Sequence, residues 1–227
     1  MDKRINKYYI IITVLFSSLL MSFIDAYIKP PYFYKSIIKL ILFLFIPIVY
    51  FLFNKEKINY LKQLFIPRKK DFLLSLILGI TVYSFIMIVY VVLKNFIDIN
   101  SIRTLISTTI GINADNFILV AIYISFINSL LEEFFFRGYS FLLLKEETNN
   151  KFAYLFSASL FSVYHVGMTS GWFNPIIYVL SLLGLFLGGC LFNYLNDKCK
   201  NIYPSWLVHM SANFAINTIG CLLFGIL

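Results

Sequence analysis

Charge is scarce in this chain and histidine scarcer still: 13% of its 227 residues are Asp, Glu, Lys or Arg, and only two are His. Soluble domains are about a quarter charged. With 60% hydrophobic residues and a mean hydropathy of +0.82, the shortage excludes a soluble globular protein. Cysteine is also rare. Cys190, Cys199 and Cys221 are an odd number without metal-ligand spacing, which suggests neither a disulfide framework nor a cysteine-held zinc site. There is no internal repeat and no linker long enough to separate two domains. Five of the six prolines, Pro30, Pro31, Pro67, Pro175 and Pro204, lie at segment edges, while Pro47 lies inside an apolar run and should kink its helix. Gly184 and Gly188, followed by Gly189, offer a flat face for helix contact.

What the chain has in abundance is apolar length. Runs extend over Tyr8–Ile24, Ile37–Phe53, Phe72–Leu93, Phe117–Leu131, Phe152–Val166, Ile176–Leu195 and Trp206–Leu227, near or somewhat below the ~20 residues that cross about 30 Å of hydrocarbon. The expected fold is all-α, a polytopic transmembrane bundle of seven to eight helices around a polar cavity. The eighth helix would arise if the stretch after Glu132 splits at Gly138. The 16 Tyr and 25 Phe suit interfacial belts and lipid-facing packing.

The formal net charge of +8 resides in short loops rather than on one folded face, so orientation and anionic lipid explain it better than nucleic acid. Lys3, Arg4 and Lys7 precede the first run, and Lys55, Lys57, Lys62, Arg68, Lys69 and Lys70 fill the loop after the second. The positive-inside rule places both in the cytoplasm, and parity adds the turns Lys145–Lys151 and Asp197–Lys200. The N-terminal segment reads as an uncleaved signal anchor, since no small-x-small cleavage site follows its apolar run before Asp25. The expectation is a multi-pass membrane protein with its N-terminus inside, and the small size with Lys-, Asn- and Ile-rich usage suggests a bacterial plasma membrane.

Ionisable groups at membrane depth are costly and are functional candidates by default. In the second half of the chain they are nearly confined to Glu132, Glu133, Arg137, His165 and His209. A hairpin about Thr148 puts Glu132 and His165 each about sixteen residues from the bend, at matching height. Helical rise places Glu132 and His209 both about 8 Å from the inner edge of the hydrocarbon. That depth leaves Val166–Pro175 too short and irregular to finish a crossing, so Gly167–Pro175 should border the cavity. Phe161 and His165, His209 and Asn213, and Glu133 and Arg137 are spaced i, i+4 and share helix faces. On this reading Glu133 pairs with Arg137, and Glu132 stays free to point into the cavity. Glu132 with His165 could then bind a water and take its proton, while His209 and Asn213 donate hydrogen bonds to an oxyanion.

These residues, Glu132-Glu133-x3-Arg137, Phe161-x3-His165 and His209-x3-Asn213, resemble the three motifs of the CAAX protease and bacteriocin-processing (Abi) family, which includes the type II CAAX prenyl endopeptidases. The resemblance covers roughly residues 117–218. It implies an intramembrane endopeptidase in which Glu132 and His165 activate water, His209 and Asn213 form the oxyanion site, and Glu133 and Arg137, with Phe161, support the cavity. It also implies a membrane-associated or lipid-modified peptide substrate, prenylated CAAX-type peptides among the candidates. Residues 117–227 would be the proteolytic core. Residues 1–116 match no motif and are where substrate choice could be encoded.

No metal is expected, and the favoured mechanism is metal-free. The alternatives are a zinc protease with His165, His209 and Glu132 as ligands and Glu133 as base, and a bacteriocin self-immunity or signalling protein without turnover. A proton-coupled transporter would also place carboxylates and imidazoles at membrane depth, but no inverted repeat supports one.

Overall fold

The computed structural model describes residues 3–227, and the side chains of residues 3–5, Lys3 and Arg4 among them, lie outside the description. No strand occurs among the described residues. α1 runs over Lys3–Phe23 and continues as a π-helical turn, Ile24–Ile28. α2 is Tyr32–Phe53, α3 is Ile58–Leu64 and α4 is Lys69–Leu93. α5 covers Ile99–Leu105 with a π-turn to Ile110. α6 is Phe117–Glu147, α7 Asn150–Thr169, α8 Pro175–Cys199 and α9 Tyr203–Phe224.

Six of these helices are long and apolar enough to cross a membrane. The seventh expected span, α7, has the length but carries Ser157, Ser159, Ser162, His165 and Thr169, and it falls outside that set. α6 does not break at Gly138. It continues for 31 residues because its second half, Glu133–Leu143, adopts the wider i→i+5 ladder, and every residue of that stretch is buried. Local chemistry ends the helices. Asn149 and Asn174 accept hydrogen bonds from the backbone N–H groups of Phe152 and Ile177, capping α7 and α8, and Pro175 follows Asn174 at the first helical position.

α6 is the axis of the core, and Phe135 stacks on Phe43 of α2 with ring centroids 4.2 Å apart. α7 packs on α8 and α1, and α4 on α9. Only Ser75 and Gly79 of α4 are buried, the latter close against Ser211 of α9, while Leu78 and Val82 are partly buried against the core and the opposite face of the helix is exposed. The glycine face expected on α8 is narrower than its sequence suggests. A side chain at Gly184 or Gly188 would meet nothing, whereas one at Gly189 would press on the Ala158 backbone at 3.2 Å. Pro47 follows a π-helical turn, Ile41–Phe45, which accommodates its missing N–H within α2.

The two ends of the bundle differ. At one end Lys57 pairs with Glu146 and Glu147, and Lys145 with Asp197, drawing the α2–α3, α6–α7 and α8–α9 connections together. At the other a small cleft of about 30 Å³ is lined by Asp25, Lys29, Lys35, Gly167, Ser170 and Trp172, with Leu105 and Thr109 of α5.

Candidate active site

Glu132 and Glu133 sit where α6 passes from α- to π-helical hydrogen bonding, and π-turns often occur at functional sites. Both side chains are buried and point to different partners. Glu133 Oε1 lies 2.9 Å from Nδ1 of His209, and its Oε2 lies 3.5 Å from Nε of Arg137. The expected Glu133–Arg137 pair is therefore present but long. Arg137 is fully enclosed, with its guanidinium over the rings of Phe161 at 4.1 Å and Phe192 at 4.9 Å. Stacked, partly desolvated contacts of this kind are worth about 2 kcal/mol.

The two imidazoles are oriented by hydrogen bonds on their Nδ1 atoms. His165 Nδ1 is 2.6 Å from the carbonyl oxygen of Phe161 one turn earlier. A carbonyl only accepts, so Nδ1 carries the proton and Nε2 is left as the acceptor in neutral His165. His209 Nδ1 donates likewise to Glu133, and its Nε2 faces Oε2 of Glu132 at 3.8 Å. The Phe161 ring neighbours both imidazoles, with centroids 4.8 Å from His165 and 5.8 Å from His209. Asn213 gives one amide N–H to the carbonyl of Ile124, 3.1 Å away on the π-turn of α6. Glu132, Glu133, Arg137, Phe161, His165, His209 and Asn213 thus come together from α6, α7 and α9.

Residues 114–215 match the family model described as type II CAAX prenyl endopeptidase Rce1-like. The match covers a little under half of the chain. No curated protein and no solved structure matches the chain at a significant level. The Rce1-like segment contains α6, α7, α8 and the first half of α9, and hence all seven side chains named above. It supports a peptidase at the level of the family.

The structure corrects one expectation inside the Rce1-like site: Glu132 is not free. Lys39 of α2, outside the matched segment, places its ammonium 2.5 Å from Glu132 Oε1 and 2.6 Å from Asn128 Oδ1, and it also contacts the Tyr164 hydroxyl. Asn128 Nδ2 donates to the same Glu132 oxygen at 2.9 Å, and the Tyr164 hydroxyl lies 3.3 Å from it. Glu132 Oε2 has no hydrogen-bond partner. Glu132 is moreover closely covered, only 2% exposed, and His165, His209 and Asn213 retain 7–8%. Of the stretch expected to border the cavity, Gly167, Ser170 and Trp172 line the Asp25–Lys35 cleft instead. Sequence reasoning missed Lys39, although Lys35 and Lys39, i and i+4 at the start of an apolar run, carried the same signal as the scarce charges of the second half.

The donor set can be tested against zinc. Among the described residues no three His, Cys, Asp or Glu side chains are grouped to hold a metal ion. An ammonium 2.5 Å from the one carboxylate of the expected His2Glu set opposes a dication at the same place. The residues present do not fit zinc.

Proposed function

We propose that this protein is an intramembrane endopeptidase that hydrolyses a peptide bond of a membrane-associated or lipid-modified peptide with a water activated by Glu132 and His165, without metal. The observation that carries the reading is the pairing of acceptors and donors inside the Rce1-like segment. Glu132 Oε2 and the unprotonated Nε2 of His165 are acceptors suited to a water's two protons. Glu132 takes one proton as the water oxygen attacks the carbonyl carbon, then returns it to the departing amine.

His209 and Asn213 serve the developing oxyanion. Glu133 holds the Nδ1–H of His209 and supports an imidazolium when Nε2 is protonated, which leaves Nε2–H as a donor. Asn213 has a second amide N–H beyond the one given to Ile124. Arg137 balances the charge of Glu133 and, with Phe161, backs both imidazoles. Lys57 of the lysine-rich stretch 55–70 pairs with Glu146 and Glu147 at the α6–α7 turn, which supports a cytoplasmic placement of that turn and of the N-terminus.

The test is turnover by the purified full chain in liposomes, using an internally quenched farnesylated peptide with a CAAX-type end, and comparison of cellular peptides between intact and Glu132→Gln strains. Glu132→Gln and His165→Ala should each abolish cleavage, a loss of at least about 100-fold, and chelators should leave wild-type turnover unchanged. Near-normal turnover in Glu132→Gln, or loss to chelator with recovery on adding zinc, refutes the mechanism.

A further inference from the structure

We infer that Lys39, contributed by α2 outside the Rce1-like segment, is a positioning residue for Glu132: it fixes which carboxylate oxygen meets the reacting water and sustains the anion that must accept the proton. The inference rests on the reading of Glu132 as the base.

The geometry of Glu132 supports it. The last torsion of a glutamate is broad and nearly two-fold, so an unrestrained carboxylate exchanges its oxygens freely. Here Oε1 receives the Lys39 ammonium at 2.5 Å and Asn128 Nδ2 at 2.9 Å, with the Tyr164 hydroxyl at 3.3 Å. That clustering on one oxygen breaks the symmetry. Oε2 is left without a partner and faces His209 Nε2 across 3.8 Å. The ammonium also neutralises the carboxylate inside an apolar bundle, and only the anion can take a proton from water.

Lys39 is committed to this task from all sides. Its ammonium reaches Glu132, Asn128 and Tyr164, a full complement for three N–H donors, and it lies 4.8 Å over the Tyr164 ring and 5.5 Å over that of Phe43. The π-turn Ile41–Phe45 begins two residues later. Four residues earlier Lys35 pairs with Asp25 at 2.8 Å beside the small cleft. The two lysines share a helix face and a degree of burial but not a partner, so Lys35 serves as an internal control.

The full chain in liposomes, assayed with the same farnesylated peptide, tests the inference. Lys39→Met should lower kcat per folded molecule at least about tenfold with KM within about twofold, the pattern of a lost transition-state interaction. Lys39→Arg, which keeps the charge with a different fork, should recover part of the loss. Lys35→Met should lower the melting temperature yet leave kcat per folded molecule unchanged. Wild-type kcat in Lys39→Met, or an equal loss in Lys35→Met, overturns the inference. A measurement independent of turnover is the melting of Lys39→Met, Glu132→Gln and their combination. Each single variant leaves one buried group without its partner, so the double variant should melt above both singles, and melting below both overturns the coupling. Glu132→Gln inactive with Lys39→Met fully active refutes the lysine inference alone, whereas an active Glu132→Gln refutes the base on which it rests.

Discussion

Replacing Arg137 by Met keeps much of the side chain's length and removes its charge, and the structure sets the size of the effect. Arg137 Nε lies 3.5 Å from Glu133 Oε2 with both side chains fully enclosed. At an effective dielectric of about 20 that separation corresponds to roughly 5 kcal/mol of attraction, close to the ~3–5 kcal/mol lost when one partner of a buried pair is removed. About 2 kcal/mol more comes from the rings of Phe161 and Phe192 beneath the guanidinium. Glu133 keeps its 2.9 Å contact with His209 in the variant, which softens the loss. Arg137→Met should therefore destabilise by about 4–6 kcal/mol, and Glu133→Gln in the same background should recover about 2–4 kcal/mol while the aromatic contribution stays lost. Unfolding of wild type, both singles and the double in detergent micelles gives the coupling. Strictly additive losses would show that Glu133 and Arg137 do not act as a pair, and would refute the charge balance drawn for the site.

Three further outcomes follow from the packing and the charged end of the bundle. Gly167 on α7 abuts the backbone carbonyl of Ser22 on α1 and donates its N–H to Ser22 Oγ at 3.1 Å, so Gly167→Ala must force the helices apart and should cost about 3 kcal/mol or more in an unfolding measurement. Gly184→Ala meets open space and should be neutral or stabilising by up to about 1 kcal/mol. Single cysteines at the exposed positions Lys151 and Lys198, in a background lacking the native three, should resist an impermeant thiol reagent in intact cells and react after lysis. Labelling of both in intact cells would invert the orientation.

The helices of the second half were legible because scarcity made their polar residues conspicuous: Glu132, Glu133, Arg137, His165, His209 and Asn213 stand out against apolar runs, and their i, i+4 spacings describe faces that the structure brings together. Pairing was not legible. Which carboxylate meets which cation depends on helices far apart in sequence, and Glu132 was expected to be free because Lys39 lies 93 positions away. The π-helical stretch Glu133–Leu143 was hidden for a different reason. An i→i+5 ladder has no residue preference as clear as a cap or a proline, and it is selected by tertiary packing around a segment buried on every side.

The distance in sequence between Lys39 and Glu132 has a consequence for biogenesis. α2 enters the bilayer carrying two ammonium groups, Lys35 near its start and Lys39 a turn deeper, and a lysine at mid-membrane costs about 2.5–3.5 kcal/mol on insertion scales. Lys35 can meet Asp25, made ten residues earlier, but Lys39 must wait until α6 leaves the ribosome. The mean hydropathy of 2.5 over the most apolar 18 residues of α2 is suited to hold an unpaired lysine in the membrane through that interval. Docking of α6 against α2 is then the step that retires the orphan charge, so a nascent chain halted before Glu132 would display α2 as a marginal span, open to slippage and to membrane quality control.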